Sequence, residues 1–334
     1  MKKFLSIFLI VFLGVVLAAC GGKDVDDVKG ALGELVDKVT SYDVDAVMTI
    51  TENEKRYVFD VNVKYHKADK LDLYKVTLKN RDSNNLQVIV KNEEGVFILN
   101  PTLNKSFKFQ SDWPLNSSQP YLLQSIVKDV INDANAVIVK QDDSFVIETK
   151  VDYLKSKELV KQKIVVDGKT LHPKEITVFD AANKERIHVL FSDINLKPNF
   201  KETEFYVQST MTTIKNEHTD IPVFAPDRPT FLPTYSIQGT NLVQPVFEQD
   251  DRTIVTLTGA RNITIVQRDA SYAEEMAVEV MYGDIVILSD GIGFVANNML
   301  TWYKDGAMIS IIADRIDDDI IRLANSLQDV PVQK

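Results

Sequence analysis

Four groups of side chains in this 334-residue chain have the types or spacing that chemistry requires. Ser125-Ile126-Val127-Lys128 puts a serine and a lysine on one helical face, the spacing through which an amine can activate a hydroxyl for acyl transfer. The companions of that motif are missing: Ser111-Asp112 is followed by Trp113, Ser192-Asp193 by Ile194, and Lys169-Thr170 by Leu171. Ile126 and Val127 also fit an apolar helical stripe, so packing accounts for the segment without catalysis. His66, His172, His188 and His218 each stand alone. His66 and His188 take polar positions of strand-like runs, and His172 precedes Pro173 in a loop, so exposed side chains and no metal site are expected. Asp317-Asp318-Asp319 opens a C-terminal helix, where carboxylates serve as caps; a calcium loop would space its ligands around a glycine. The zincin, nucleophile-elbow and phosphate-loop patterns do not occur. The expectation is a protein that is not an enzyme and needs no cofactor.

The fourth group is the one cysteine. Cys20 follows Leu17-Ala18-Ala19 and precedes Gly21-Gly22. Ahead of it, Met1-Lys2-Lys3 leads an apolar run from Phe4 to Ala19. As a helix that run would reach roughly 24 Å, short of the ~30 Å hydrocarbon core but of signal-peptide size. The junction resembles the bacterial lipoprotein signal, in which an aliphatic and two small residues precede a cysteine. The resemblance implies cleavage between Ala19 and Cys20 and a diacylglycerol thioether on the Cys20 sulfur, for which a thiolate is the fitting nucleophile. Two acyl chains hold a protein stably where one is marginal. The chain is therefore expected to carry palmitate-type lipid and to sit on the extracytoplasmic face of the cell membrane. With 38 basic against 48 acidic side chains the formal charge is −10. That argues against nucleic acid, and an acidic body adds nothing to binding anionic headgroups, so the lipid must do the anchoring. A lone cysteine also excludes a disulfide framework.

The elements that would position these groups are mostly strands. Val25, Val28, Leu32, Leu35, Val36 and Val39 recur at helical spacing. Tyr57, Phe59, Val61, Val63 and Tyr65 then alternate with polar residues, as a half-buried strand does. Leu71 and Leu73 differ in parity from Val76 and Leu78, which predicts a bulge near Tyr74-Lys75. Further strands are expected at 86–91, 96–99, 105–109, 136–140, 145–149, 160–166, 175–179 and 186–191. They are interrupted by a helix carrying Leu123, Ile126, Val127, Val130 and Ile131. Pro222, Pro226, Pro229 and Pro233 mark a stiff connection. Beyond it, strands are expected at 253–258, 262–267, 275–281, 284–289, 293–296, 300–303 and 307–312, before a last helix with Ile320, Ile321, Leu323, Ala324 and Leu327 on one face.

The hairpin Gly95-Val96-Phe97-Ile98-Leu99-Asn100-Pro101-Thr102-Leu103-Asn104-Lys105-Ser106-Phe107 resembles one in the LolA/LolB lipoprotein-carrier fold. The later Pro229–Pro233, Asn262–Arg268, Leu300–Gly306 and Ile321–Leu327 segments resemble the small domain that follows this fold in RseB-like regulators. The whole chain is similar to YdcC-like sporulation lipoproteins and, more distantly, to GerS-like germination lipoproteins. This implies an α+β protein: an open antiparallel β-barrel, or curved sheet, with a helical lid, then a smaller α+β domain. The expected boundaries are 1–19 for the signal peptide, 20–24 for the anchor segment, 25–215 for the LolA-like domain, 216–236 for the linker and 237–330 for the small domain. It also implies a hydrophobic cavity for a lipid or lipopeptide, and Phe59, Val61, Val63, Phe97, Leu99, Phe107, Phe109 and Trp113 are candidates to line it, ordinary sheet core being the alternative. An envelope protein partner, as in the RseB-like and GerS-like proteins, is the second implication.

Overall fold

The computed structural model describes residues 25–330 apart from 70, 84, 218–229, 244–246, 250–251 and 271–275. The expected signal peptide, Cys20, His218, Pro222, Pro226 and Pro229 lie outside the described residues.

The chain opens with α1 (Val25–Lys38) and a meander of six strands: β1 (Ser41–Glu52), β2 (Lys55–Lys67), β3 (Asp72–Asn80), β4 (Leu86–Asn92), β5 (Gly95–Asn100) and β6 (Lys105–Gln110). Asn53 and Glu54 both have positive φ, 48° and 67°, the backbone that a two-residue hairpin turn between β1 and β2 demands. After α2 (Leu123–Asn132) the chain resumes at the far edge with β7 (Val137–Gln141), β8 (Ser144–Lys150), β9 (Leu159–Asp167), β10 (Pro173–Asp180) and β11 (Glu185–Asn195). β11 returns to pair antiparallel with β1, so the first strand lies near the middle of a 12-stranded sheet. The sheet is curved and open: β7 forms one edge, and no closed barrel results.

Its concave face is a solid core. Tyr42, Val44, Ala46, Met48 and Ile50 from β1 meet Phe59, Val61 and Val63 from β2 and the buried face of α2, including Ile126, Val127 and Val130. Each such side chain contributes about 1.5–3 kcal/mol on leaving water. The convex face is covered at β4 and β5 by α3 (Val207–Glu217), whose Met211 and Ile214 pack on Val88, Val90, Phe97 and Leu99. The bulge expected near Tyr74-Lys75 is absent: β3 pairs with β2 without a register shift from Lys67↔Asp72 to Phe59↔Asn80. Leu71 precedes the strand, and Leu73 and Tyr74 are both buried because both faces of β3 are covered. Register irregularities fall instead between Asp45 and Ala46, where β1 meets β11, and along β10 where it meets β9 and β11.

The remaining chain contributes β12 (Thr230–Pro233), β13 (Thr240–Leu242), β14 (Phe247–Gln249), β15 (Arg252–Gly259), β16 (Ile263–Asp269), β17 (Ala277–Tyr282), β18 (Asp284–Leu288), β19 (Gly291–Ala296), β20 (Met299–Lys304), β21 (Ala307–Ile312), α4 (Asp318–Asn325) and β22 (Leu327–Val330). Seven of these strands run in the order β13-β15-β16-β21-β20-β19-β18, with β14 also on β15. The Ile320, Leu323 and Ala324 face of α4 closes their core, and Asp317 caps it by accepting from the Ile320 N–H at 3.3 Å. β17 leaves this sheet and adds to β6 in parallel, forming the other edge of the large one.

A candidate ligand cleft between the two sheets

The side chains expected to line a lumen do not form one group. Phe59, Val61, Val63, Phe107, Phe109 and Trp113 share the concave core, all 2% exposed or less. Phe97 and Leu99 turn to the convex face and pack under α3, because alternate residues of β5 point oppositely and both faces are buried. Within the concave core the rings are in contact. Phe107 stacks on Phe294 at 5.9 Å and meets Tyr303 at 5.5 Å, Phe109 meets Phe294 at 5.3 Å, and Trp113 sets its edge on Tyr74 at 5.8 Å. Phe294 and Tyr303 belong to β19 and β20, so the second sheet supplies the groups that fill the mouth of the first.

Ser125 and Lys128 are both engaged in holding a loop. The Ser125 hydroxyl accepts from the Gln119 N–H at 2.7 Å and donates to the Ser117 carbonyl at 3.5 Å, while the Lys128 ammonium donates to the Leu115 carbonyl. Ser125 is buried, and its pairing with Lys128 required by the acyl-transfer reading is replaced by these backbone contacts. Among the described histidines, His66 and His188 are partly covered and not exposed as expected, and His172 is likewise partly covered. His66 stacks on Phe205 at 6.2 Å, and the His188 ring nitrogen lies 3.1 Å from Glu175 Oε1. His172 has its pKa lowered by burial, with Asp167 acting in the opposite sense. No cluster of three or more His, Cys, Asp or Glu side chains with metal-binding proximity occurs among the described residues.

An open apolar space lies at the seam between the sheets. Ile50 and Ile187, neighbours across β1 and β11, form one wall with Leu154 and Leu159; Ile285 and Ile287 of β18 and Ile321 of α4 form the other. The space holds about 80 Å³, small beside the roughly 300–1,000 Å³ of clefts that bury a whole small ligand. A few polar groups converge on it. Arg186 reaches across β1 to form a largely buried pair with Glu52 and lies 3.5 Å from Asp180. Tyr153 also lines the space, and its hydroxyl is buried without a hydrogen-bond partner. Burial, then the neighbouring Asp129 carboxyl and Tyr121, pushes that phenol well above its ordinary pKa, so it remains a neutral donor. At the lip, Arg322 of α4 pairs with Glu158, and the Lys157 N–H donates to both oxygens of Asp318 at 3.0 Å. The walls are thus mainly aliphatic with the Tyr153 ring among them, a lining that suits a hydrocarbon segment.

Sequence reasoning missed this site because its walls come from five distant segments. The alternation of Tyr42, Val44, Ala46, Met48 and Ile50 was the available signal for β1, which carries one wall.

The model of a family described as sporulation protein YdcC-like matches residues 1–205. The chain is 34% identical to the sporulation protein YdcC of Bacillus subtilis (strain 168) over 339 residues, covering 98% of each. Among solved structures it is similar to a chain of the Pseudomonas aeruginosa MucA/MucB complex, with 12% identity, a TM-score of 0.35, and coverage of 91% of this chain and 99% of that one. A chain of the Clostridioides difficile complex of the CwlD amidase with the GerS lipoprotein is 16% identical, with a TM-score of 0.23 and coverage of 54% and 98%.

Proposed function

Because the chain belongs to the YdcC-like family of sporulation proteins, we propose that it is a non-enzymatic envelope lipoprotein of the sporulating cell. It is tethered through a lipidated Cys20 and takes an acyl chain or acylated peptide in the cleft between its two sheets. The observation that carries this reading is where empty apolar space lies. The concave face of the large sheet is filled by Phe107, Phe109, Trp113 and the second sheet's Phe294. The seam, by contrast, keeps a narrow open space of about 80 Å³ walled by Ile50, Ile187, Ile285 and Ile287. A hydrocarbon tail gains from those walls.

Native mass spectrometry of protein extracted from its own membranes tests the ligand. Wild type should retain a lipid or lipopeptide and Ile187→Glu should lose it, whereas bare polypeptide in both removes the ligand reading. The tether is tested separately: labelled palmitate should enter wild type and not Cys20→Ala, and equal labelling of both removes it.

One observation favours a second reading, in which the cleft controls an envelope protein partner. Its lip carries the Arg322–Glu158 pair and the Lys157–Asp318 contact, each joining the loop before β9 to α4. An occupant that opens the lip would change the surface the two sheets present together. Affinity capture from sporulating cells should then recover a stoichiometric partner from wild type, in an amount altered by Arg322→Ala; capture insensitive to that variant removes this reading.

A further inference from the structure

The large sheet has two exposed apolar patches at its opposite edges. β7 presents Val137 and Val139, 57% and 54% exposed, with Ile131 of α2 exposed close by. β17 presents Val278 and Val280, 49% and 58% exposed. Scattered surface valines need no explanation, but paired ones on both edge strands do. We propose that the β7 rim, comprising Ile131, Val137 and Val139, rests on the membrane to which the chain is tethered. This inference rests on the anchor at Cys20 and adds an orientation to it.

The length of chain before the described residues selects the edge. Between Cys20 and Val25 the chain can extend roughly 17 Å at most. α1 then passes along the β7 side of the molecule. The Lys29 ammonium in its second turn donates to the Asp133 carbonyl at 2.8 Å, and Asp133 ends α2 four residues before Val137. Further along α1, a methyl group at Gly33 would lie 3.3 Å from Ile131 Cδ1. The start of α1 is therefore at the rim carrying Ile131 and Val137, within reach of a tethered lipid. The β17 edge is the opposite edge of the curved sheet, where β17 pairs with β6. A tether this short brings the β7 rim to the bilayer.

Charge points to an apolar contact. Around β7 the exposed Lys140 and Lys150 are matched by exposed Asp142, Asp143 and Glu148, so the rim has no basic excess with which to hold anionic headgroups. Val137 and Val139 are successive outward residues of one strand and can enter the headgroup boundary together, while Ile131 does so from the helical side of the rim.

The test uses the full lipidated protein in vesicles of phosphatidylethanolamine and phosphatidylglycerol with brominated acyl chains, which quench indole on contact. Trp113 and Trp302 are buried and give a constant background. The emission added by Val139→Trp should fall about twofold on brominated relative to plain vesicles, as a side chain entering the interface by a few ångströms would show. It should be insensitive to salt, and the emission added by Val280→Trp should not change. In wild type, amide exchange of residues 135–141 should slow on vesicles, a readout that needs no substitution. Intact mass is read on the same samples. Acylated Cys20 with an unquenched Val139→Trp and unchanged exchange overturns the orientation and leaves the anchor standing. An unmodified Cys20 overturns the anchor and the orientation with it.

Discussion

Replacing Gln87 tests how the two sheets are held together, because this buried side chain spans the seam and hydrogen-bonds both backbone groups of one residue. Its Oε1 accepts from the Ile292 N–H at 2.6 Å and its Nε2 donates to the Ile292 carbonyl at 3.2 Å, joining β4 to β19 across 205 residues of sequence. Gln87→Met keeps length and most of the volume, so the packing change is small. It leaves a buried donor and a buried acceptor unpaired, at about 1–3 kcal/mol each, and we expect a loss of about 3 kcal/mol after partial relaxation. Gln87→Glu should be worse: a carboxylate still accepts from the N–H but turns lone pairs toward the carbonyl and buries a charge. The protein carries its own two reporters, since Trp113 sits in the core of the large sheet and Trp302 in that of the second. Urea unfolding followed by fluorescence in Trp113→Phe and Trp302→Phe backgrounds therefore reads each half. Gln87→Met should lower both midpoints and separate transitions that coincide in the parent. A Gln87→Met protein within about 0.5 kcal/mol of its parent, with coincident transitions, would refute the reasoning.

Burial, ahead of its contacts with Ser118 and Gln162, pushes the Asp129 carboxyl up to about 6. The folded protein then keeps a proton that the unfolded chain has lost, so this group lowers stability as pH rises from its ordinary 3.8 to about 6. Asp129→Asn should flatten that slope and raise stability at neutral pH by about 1–3 kcal/mol, read from urea midpoints between pH 4 and 8. Arg186→Met strands the buried Glu52 carboxylate and should cost about 3–5 kcal/mol, while Arg186→Met with Glu52→Leu recovers most of it; thermal unfolding of the three proteins decides. Ser125→Ala removes the acceptor for the Gln119 N–H and should cost about 1–2 kcal/mol. It should leave any action on peptidoglycan unchanged, and a hydrolysis lost in that variant would restore the catalytic reading.

Much of the strand content was legible because one face of each strand was polar: the run from Tyr57 to Tyr65 became β2 with the expected alternation. β1 has the same alternation, with Val47 the apolar residue out of phase, and Asn62 donates to the Asp43 and Asp45 carboxylates on its polar face at 2.8 Å. β5 shows where parity stops being informative. All its residues after Gly95 are buried, since α3 covers one face, and nothing in Val96–Leu99 says that Phe97 and Leu99 point away from Phe107. α3 itself carries Val207, Met211 and Ile214 at helical spacing, a signal passed over beside the proline-rich stretch. The site was not legible at all. Its walls meet through pairings more than a hundred residues apart, and propensity does not encode which strand of the second sheet faces Ile50.

The pairing of β17 with β6 bears on how the polypeptide must be made. Without residues 277–282, a row of amides and carbonyls on β6 beside Phe107 and Phe109 has nothing to bond. Phe294 and Tyr303, which shield those rings, come later still. A nascent or truncated product ending near residue 215 is thus a sticky intermediate that recruits any extended segment nearby, its own twin included. Expressing the first half alone therefore removes both the strand that pairs with β6 and the rings that cover Phe107 and Phe109.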